Sequence, residues 1–429
     1  AFVTNLSVEY NAALTSLTGL ENVTSIGENL RIFQCDALNS LAGIDNVTSI
    51  GGDIEIVYND ALINLTGLEN LTSIGGGLGI YSNDALTSLT GLDNIISIGG
   101  YIEIGWNDVM TSLTGLNNMT SIGGYVEMDN NDALINLTGH DNVTSIGKTY
   151  SIGGNDALIN LTGLENVTSI GGDFSIGYND VLTSLTGLDN VTSIGGDFSI
   201  RGNDALTSLT GLDNVTSIGG NIWIEDNAAL TSLTGLENIN ANSIEDLRIF
   251  DNNSLSTCEV QSICDYLANP NGTVNIYNNA IGCNNPPEIA NSCGFTMPCL
   301  PYGNYYFFSQ SEIDNFQTNY PGCTEIEGDV KINGDDITNL NGLNVLTAFG
   351  GKLWIRNNNS LTSLAGLDNV NSIGGHIWIE DNPALTSLTG LENINANSIG
   401  DLRISNNSSL VTCEVQSICD YLANPNGTV

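Results

Sequence analysis

Side chains able to carry chemistry are unevenly supplied in this chain. Its 429 residues include 48 Asp and Glu against 8 Lys and Arg, with 2 His and 9 Cys, for a net charge of −40. His140 and His376 lie in different parts of the chain, and no Ser-His-Asp or Cys-His set can be assembled from neighbouring segments. Acidic pairs do occur. Glu103 and Glu127 share a slot in successive repeats, and two carboxylates are what glycoside hydrolysis needs. Nothing else marks a cleft around them, so the expectation is a non-enzyme with no cofactor. The acidic balance argues against nucleic acid and anionic membrane as partners, since both call for a basic surface. No apolar run approaches the length of a membrane span.

A second group of candidates is aromatic. Tyr58, Tyr81, Tyr101, Trp106, Tyr125, Tyr178 and Trp223, together with Glu103 and Glu127, occupy positions that vary while the residues around them barely change. Tyr and Trp on an acidic face suit a glycan or protein ligand; drift on a solvated face gives the same variability. Asn-Asp pairs such as Asn59-Asp60 and Asn179-Asp180 offer oxygens to calcium, although the wording is not that of Gly-Gly-x-Gly-x-Asp repeats. Asn-x-Thr recurs at Asn22, Asn46, Asn142, Asn166, Asn190 and Asn214, where a eukaryotic secretory chain would carry glycans.

These residues are positioned by a repeat. Units of 24 residues begin at Ala13, Ala37, Ala61, Ala85, Val109, Ala133, Ala157, Val181, Ala205 and Ala229. A period held without slippage predicts a β-rich solenoid with one turn per unit. Within the unit from Ala205, Leu206, Leu209, Leu212, Val215 and Ile218 recur every third residue, then Ile222 and Ile224 alternate. The alternating part predicts a short strand with both Ile inward. The period-three part, broken by Gly211, Gly219 and Gly220, cannot be a helix and predicts a tight path turning corners. Asn59, Asn83, Asn107, Asn131, Asn155, Asn179, Asn203 and Asn227 share the slot after the strand, with Asn11 also in it and Cys35 as the exception. A column of Asn there predicts a buried ladder satisfying backbone groups where the chain turns.

Ile-x-Ile-x-x-Asn followed by Leu-x-x-Leu-x-x-Leu-x-x-Val-x-x-Ile-Gly-Gly resembles a leucine-rich repeat, in the variant similar to receptor L domains. Leu230 stands three residues after Asn227 rather than two, which favours that variant over a horseshoe with outer helices. The near-verbatim Leu-Thr-Ser-Leu-Thr-Gly-Leu wording resembles secreted surface proteins of Bacteroidetes-type bacteria. The resemblance implies export, often by the type IX route, and an extracellular or cell-surface location.

The first array is expected over 1–253, opening within a repeat without an N-terminal cap. A Cys-rich cap follows over 254–299, with a short helix carrying Val260, Ile263 and Leu267 and Thr257 as its N-cap. A linker over 300–308 precedes an N-terminal cap at 309–334 with Ile313 and Phe316 inward, a short second array at 335–410 and a truncated cap at 411–429. Residues 384–429 repeat 229–274 at 41 of 46 positions. The chain is therefore expected to be a window on a longer string of capped modules. Cys258, Cys264, Cys283 and Cys293 are expected to form two bridges, and Cys299 could join Cys323. Cys413 and Cys419 repeat the first two without later partners. Zinc is disfavoured by the five-residue gaps and the absence of nearby His. His140 replaces an inward Leu and is expected to be partly buried. The functional expectation is an extracellular structural or adhesive protein, a fibre component that self-associates or packs on neighbouring modules. The alternative is a recognition module binding a glycan or protein through the aromatic and acidic strand face.

Overall fold

The computed structural model describes residues 1–297, 299–301 and 303–429. Pro298 in the expected cap and Tyr302 in the expected linker lie outside them. Two compact units result: Ala1–Glu245 with Ile249–Ile263 and Asn278–Ile281, and Asp246–Arg248 with Cys264–Tyr277 and Gly282–Val429.

In the first unit each repeat is one turn of a β-solenoid. Four-residue strands from Leu6–Glu9 to Ile222–Glu225 pair in parallel, each with the strand one turn away. The register keeps like beside like, so Ile200 faces Ile224 and Ser199 faces Trp223. Leu206, Leu209, Leu212, Val215, Ile218, Ile222 and Ile224 are all at most 1% exposed. Burying each aliphatic side chain stabilises by about 2 kcal/mol, and only stacking makes that burial possible. Gly211 turns the corner at φ 112°, and a Cβ there would meet the Leu185 carbonyl oxygen at 2.7 Å. A second parallel sheet, built from two-residue Ser-Ile strands such as Ser73–Ile74 and Ser217–Ile218, was not foreseen. Two residues are too few to show alternation.

The Asn ladder is buried from Asn59 to Asn227 and continues at Asn252. Asn131 shows the pattern. Its Nδ2 donates to the carbonyls of Ile104 at 2.9 Å and Asp129 at 3.3 Å, and to Asn155 Oδ1 at 3.3 Å. Its Oδ1 accepts from the backbone N–H and the amide of Asn107, at 3.3 and 3.2 Å. Asn11 departs from the expectation: it is exposed and its amide donates to the Glu9 carbonyl. Cys35 is a free, buried thiol whose N–H donates to Asn59 Oδ1.

Much of the acidity is structural. Asp45, Glu69, Asp93, Asp141, Glu165, Asp189 and Asp213 each accept from a Gly N–H two residues earlier, closing the corner. The Asn-x-Thr asparagines are also engaged: Asn46, Asn142, Asn166, Asn190 and Asn214 donate their amides to carbonyls of the preceding turn.

His140 is fully buried, not partly, with Nδ1 3.2 Å from the Tyr150 hydroxyl. Burial pulls its pKa down to about 4. The unfolded chain therefore binds a proton that the folded one refuses, and stability is lost as pH falls from about 6.5 toward 4. Neighbouring turns hold Leu116 and Leu164 in the histidine slot, and Val126 and Phe174 in the tyrosine slot. The double variant His140→Leu/Tyr150→Phe should be more stable than wild type by about 1 kcal/mol at pH 7 and by more at pH 5. His140→Leu alone should lose about 1–3 kcal/mol relative to that double variant, because it strands the buried Tyr150 hydroxyl. Urea unfolding at the two pH values checks both.

In the second unit, strands Val330–Ile332, Leu353–Arg356, Ile377–Glu380 and Leu402–Ser405 pair in parallel. The expected linker is corrected: Tyr305–Phe307 is a strand paired with Val330–Ile332, and Tyr305 and Phe307 are buried. Aromatic alternation over three residues was too short to be legible. The expected N-terminal capping helix is two short ones, Gln310–Asp314 and Phe316–Asn319, with Ile313 and Phe316 buried. Ser309 and Glu312 form a capping box. Helix Gln416–Ala423 buries Ile418 and Tyr421, and Ser417 Oγ donates to the Leu391 carbonyl at 2.6 Å. The matching helix, Gln261–Ala268, starts later than expected, so Thr257 is not its N-cap and bridges to Ser232 instead. Disulfides join Cys264 to Cys293 and Cys299 to Cys323, and Cys258 and Cys283 are also disulfide-bonded. Cys413 and Cys419 are free and exposed.

Candidate ligand-binding face

The outward face of the long-strand sheet in the first unit carries the residues singled out by sequence, and the structure divides them into two groups. Tyr58, Trp106 and Tyr178 project, with 49, 57 and 56% of their surface exposed. Each immediately precedes a ladder Asn, where every turn adopts a left-handed backbone. Their φ angles are 58°, 58° and 57°. Sequence reasoning missed Tyr10, which shares the slot at φ 58° and is 71% exposed. Elsewhere in the first unit this column holds Gln34 and Ser82 as well as Asn130, Gly154, Gly202 and Asp226, and only the last four are residue types that left-handed geometry favours. That mixture was the available signal. A bulky aromatic costs about 1 kcal/mol or more there, so its presence needs a reason other than folding.

Tyr10, Tyr58 and Trp106 fall on every second turn, which at the spacing of parallel strands puts them about 10 Å apart along the axis. Phe33 packs edge-on between Tyr10 and Tyr58, with ring centroids 5.3 and 5.8 Å away. Beyond Trp106 the face sinks into an open notch of about 390 Å³. Ser151, Gly153, Gly154, Ser175 and Gly177 line it, and Asp129, Asn130, Tyr178 and Arg201 border it. Arg201 is held by Glu225 at 2.9 Å and lies against the rings of Tyr178 and Trp223, at 5.9 and 5.0 Å. Trp223 is thus half-buried beside a guanidinium, not a free platform.

The second group is interlocked. The Tyr81 and Tyr125 hydroxyls both donate to the Glu103 carboxylate, and the Tyr101 and Tyr125 rings stack at 5.6 Å. The hydrogen bond to Glu103 raises the Tyr125 pKa, and burial raises that of Tyr101 to about 12. Glu127 is pushed up to about 7, first by the hydrogen bond it shares with Asp129, then by burial and by the charges of Asp129 and Glu103. Glu103 and Glu127 do neighbour each other across the strands, as expected. One is tied by two phenols and the other lies beside Asp129 on the same strand, so the pair braces the face. Folded Glu127 keeps a proton that the unfolded chain releases, so the stability that Glu127 contributes falls as pH rises from about 4.5 to about 7, opposite in sign to the contribution of His140. Glu127→Gln should abolish that fall, melting higher than wild type at pH 8 and alike at pH 4.5. Melting temperature against pH tests this.

Among the described residues no group of three or more His, Cys, Asp or Glu is placed to hold a metal ion. The Asp60 pKa is raised by burial and by the like charges of Asp84 and Asp36 in adjacent turns. No helix among the described residues is long and apolar enough to cross a membrane.

No curated protein matches the chain. Residues 322–421 match the profile of the receptor L domain. With turns of about 24 residues, that match fits a leucine-rich-repeat-like protein, of a kind that is typically non-enzymatic and binds ligands or builds structure; the disulfides and the receptor L domain suggest an extracellular one.

Proposed function

We propose that the protein is an extracellular recognition protein that holds an extended, uncharged polysaccharide along the strand face of its first unit. The observation that carries this reading is the row of exposed aromatics retained in left-handed backbone positions where Asn, Asp or Gly would fold better. Aromatic rings stack on the apolar faces of sugars, and a spacing of about 10 Å lets alternate sugars of a linear chain meet successive rings. The surrounding carboxylates accept hydrogen bonds from hydroxyls and repel anionic ligands. The Ser151 and Ser175 hydroxyls at the notch add partners for a chain crossing it.

A fibre component remains compatible with tandem capped modules, and a cell-surface adhesive role follows equally from glycan capture. The strand face favours recognition, because subunit stacking gives no reason to keep strained, solvated aromatics. Native-gel retardation against a panel of neutral linear glucans, xylans and mannans is the test. Retardation by at least one polymer supports the reading. Uniform mobility across the panel, with filaments in negative stain, would favour the structural role.

A further inference from the structure

The second unit carries a surface of opposite character. Lys331, Lys352, Arg356 and Arg403 are four of only 8 basic residues in a chain with 48 acidic ones, and all four lie on or beside three strands of its sheet, Val330–Ile332, Leu353–Arg356 and Leu402–Ser405. Register places Tyr306, Lys331, Trp354, Trp378 and Arg403 in one outward column. The cations interleave with the rings. The Lys331 ammonium stands 5.5 Å from Phe308 and 5.3 Å from Trp354. That of Lys352 stands 4.7 Å from Trp354 and 4.3 Å from Trp378, and the Arg356 guanidinium 4.7 Å from Trp354. Such contacts fix flexible cations in place without neutralising them. Arg403 is paired with Glu380 at 2.6 Å. Lys352 and Arg356 have no ion-pair partner among the described residues, and Arg356 Nε is buried without an acceptor. A dent of about 230 Å³, bordered by Tyr277, Tyr306, Phe308, Lys331, Lys352 and Trp354 and by Asp329, whose carboxylate accepts from the Lys352 backbone N–H, opens on this face.

In so acidic a chain, Lys352 and Arg356, two cations without an ion-pair partner among the described residues and held against Trp354, are complementary to negative charge that comes from a partner. We propose that this face is a second docking surface, for a polysaccharide whose sugars carry carboxylates. Lys331 on one strand and Lys352 and Arg356 on or beside the next present positive charge over two successive turns, which suits a linear ligand with repeated negative charge. The half-buried rings of Trp354 and Trp378 beside them add apolar surface for a sugar face, and an Arg guanidinium forks onto a carboxylate. A nucleic acid fits less well, because its charge is packed every few ångströms and the rest of the chain would repel it.

The test uses the full chain with polygalacturonate as probe, followed by calorimetry at several salt concentrations. Binding is expected, weakening as salt rises. The variant K352Q/R356Q, which keeps side-chain length and should melt as wild type does, is expected to bind at least tenfold more weakly with a shallower salt dependence. The triple variant Tyr58→Asn/Trp106→Asn/Tyr178→Asn should bind polygalacturonate as wild type does, which separates this surface from the one in the first unit. Four results would overturn the proposal: no binding, affinity unchanged in K352Q/R356Q, binding of a sulfated polymer alone, or salt-sensitive self-association lost in the variant without any capture of polygalacturonate.

Discussion

Replacing Asn131 with Ala is expected to remove about 3–5 kcal/mol of stability, more than any single aliphatic truncation in the same turn. The amide serves five hydrogen-bonding partners at once, in a place water does not reach. Without it the Ile104 carbonyl and the Asn107 N–H are left without these partners in the interior, alongside a cavity. Asn131→Asp should be at least as damaging. Its shape is the same, but it loses both N–H donors and brings a carboxylate into a buried column. Because each turn touches only its neighbours, the damage should be local at first. Hydrogen exchange is expected to accelerate in the turns around residues 83–179 before the ends of the array respond. Urea unfolding followed by circular dichroism gives the magnitude. A loss below about 1 kcal/mol would show that the ladder is ornamental. Cys35 marks the tolerated limit, since its own N–H still reaches the next amide.

The triple variant Tyr58→Asn/Trp106→Asn/Tyr178→Asn should lose neutral-glycan binding by at least about a hundredfold while melting no lower than wild type. Each exposed ring is worth about 1–2 kcal/mol to a stacked ligand, and three rings exceed a factor of a hundred together. Stability moves the other way, because Asn adopts the left-handed backbone at less cost than Tyr or Trp. Trp106→Asn is the cleanest single member, as Tyr58 packs on Phe33 and Tyr178 lies against Arg201. Differential scanning calorimetry beside isothermal titration reads both quantities. Aromatics that merely support the fold would show the reverse: lower melting with no change in binding.

How much of this was visible in the residues depends on the length of the signal. The 24-residue period, the inward Leu positions and the Asn slot each recur many times, so stacking forces one solution on them. The Ser-Ile strands and the Tyr305–Phe307 strand are two and three residues long, and alternation cannot show over so short a stretch. The face was legible as a set of variable positions, but not its division. Glu103 looked like half of an acid pair, and only the structure brings the Tyr81 and Tyr125 hydroxyls onto it. The left-handed backbone under Tyr10 and Tyr58 is a property of the turn, betrayed in sequence only by Asn130, Gly154, Gly202 and Asp226 in the same column. The basic face of the second unit escaped notice because its cations are spread over some 70 residues and meet only when the strands stack.

The most direct measurement is hydroxyl-radical footprinting of the full chain, with and without a neutral polysaccharide that it retains. Protection of Tyr10, Tyr58, Trp106 and Tyr178, with Trp354 and Trp378 unchanged, is the predicted result. Saturating polymer that leaves those four rings as reactive as before, or protects only residues off the strand face, would contradict it.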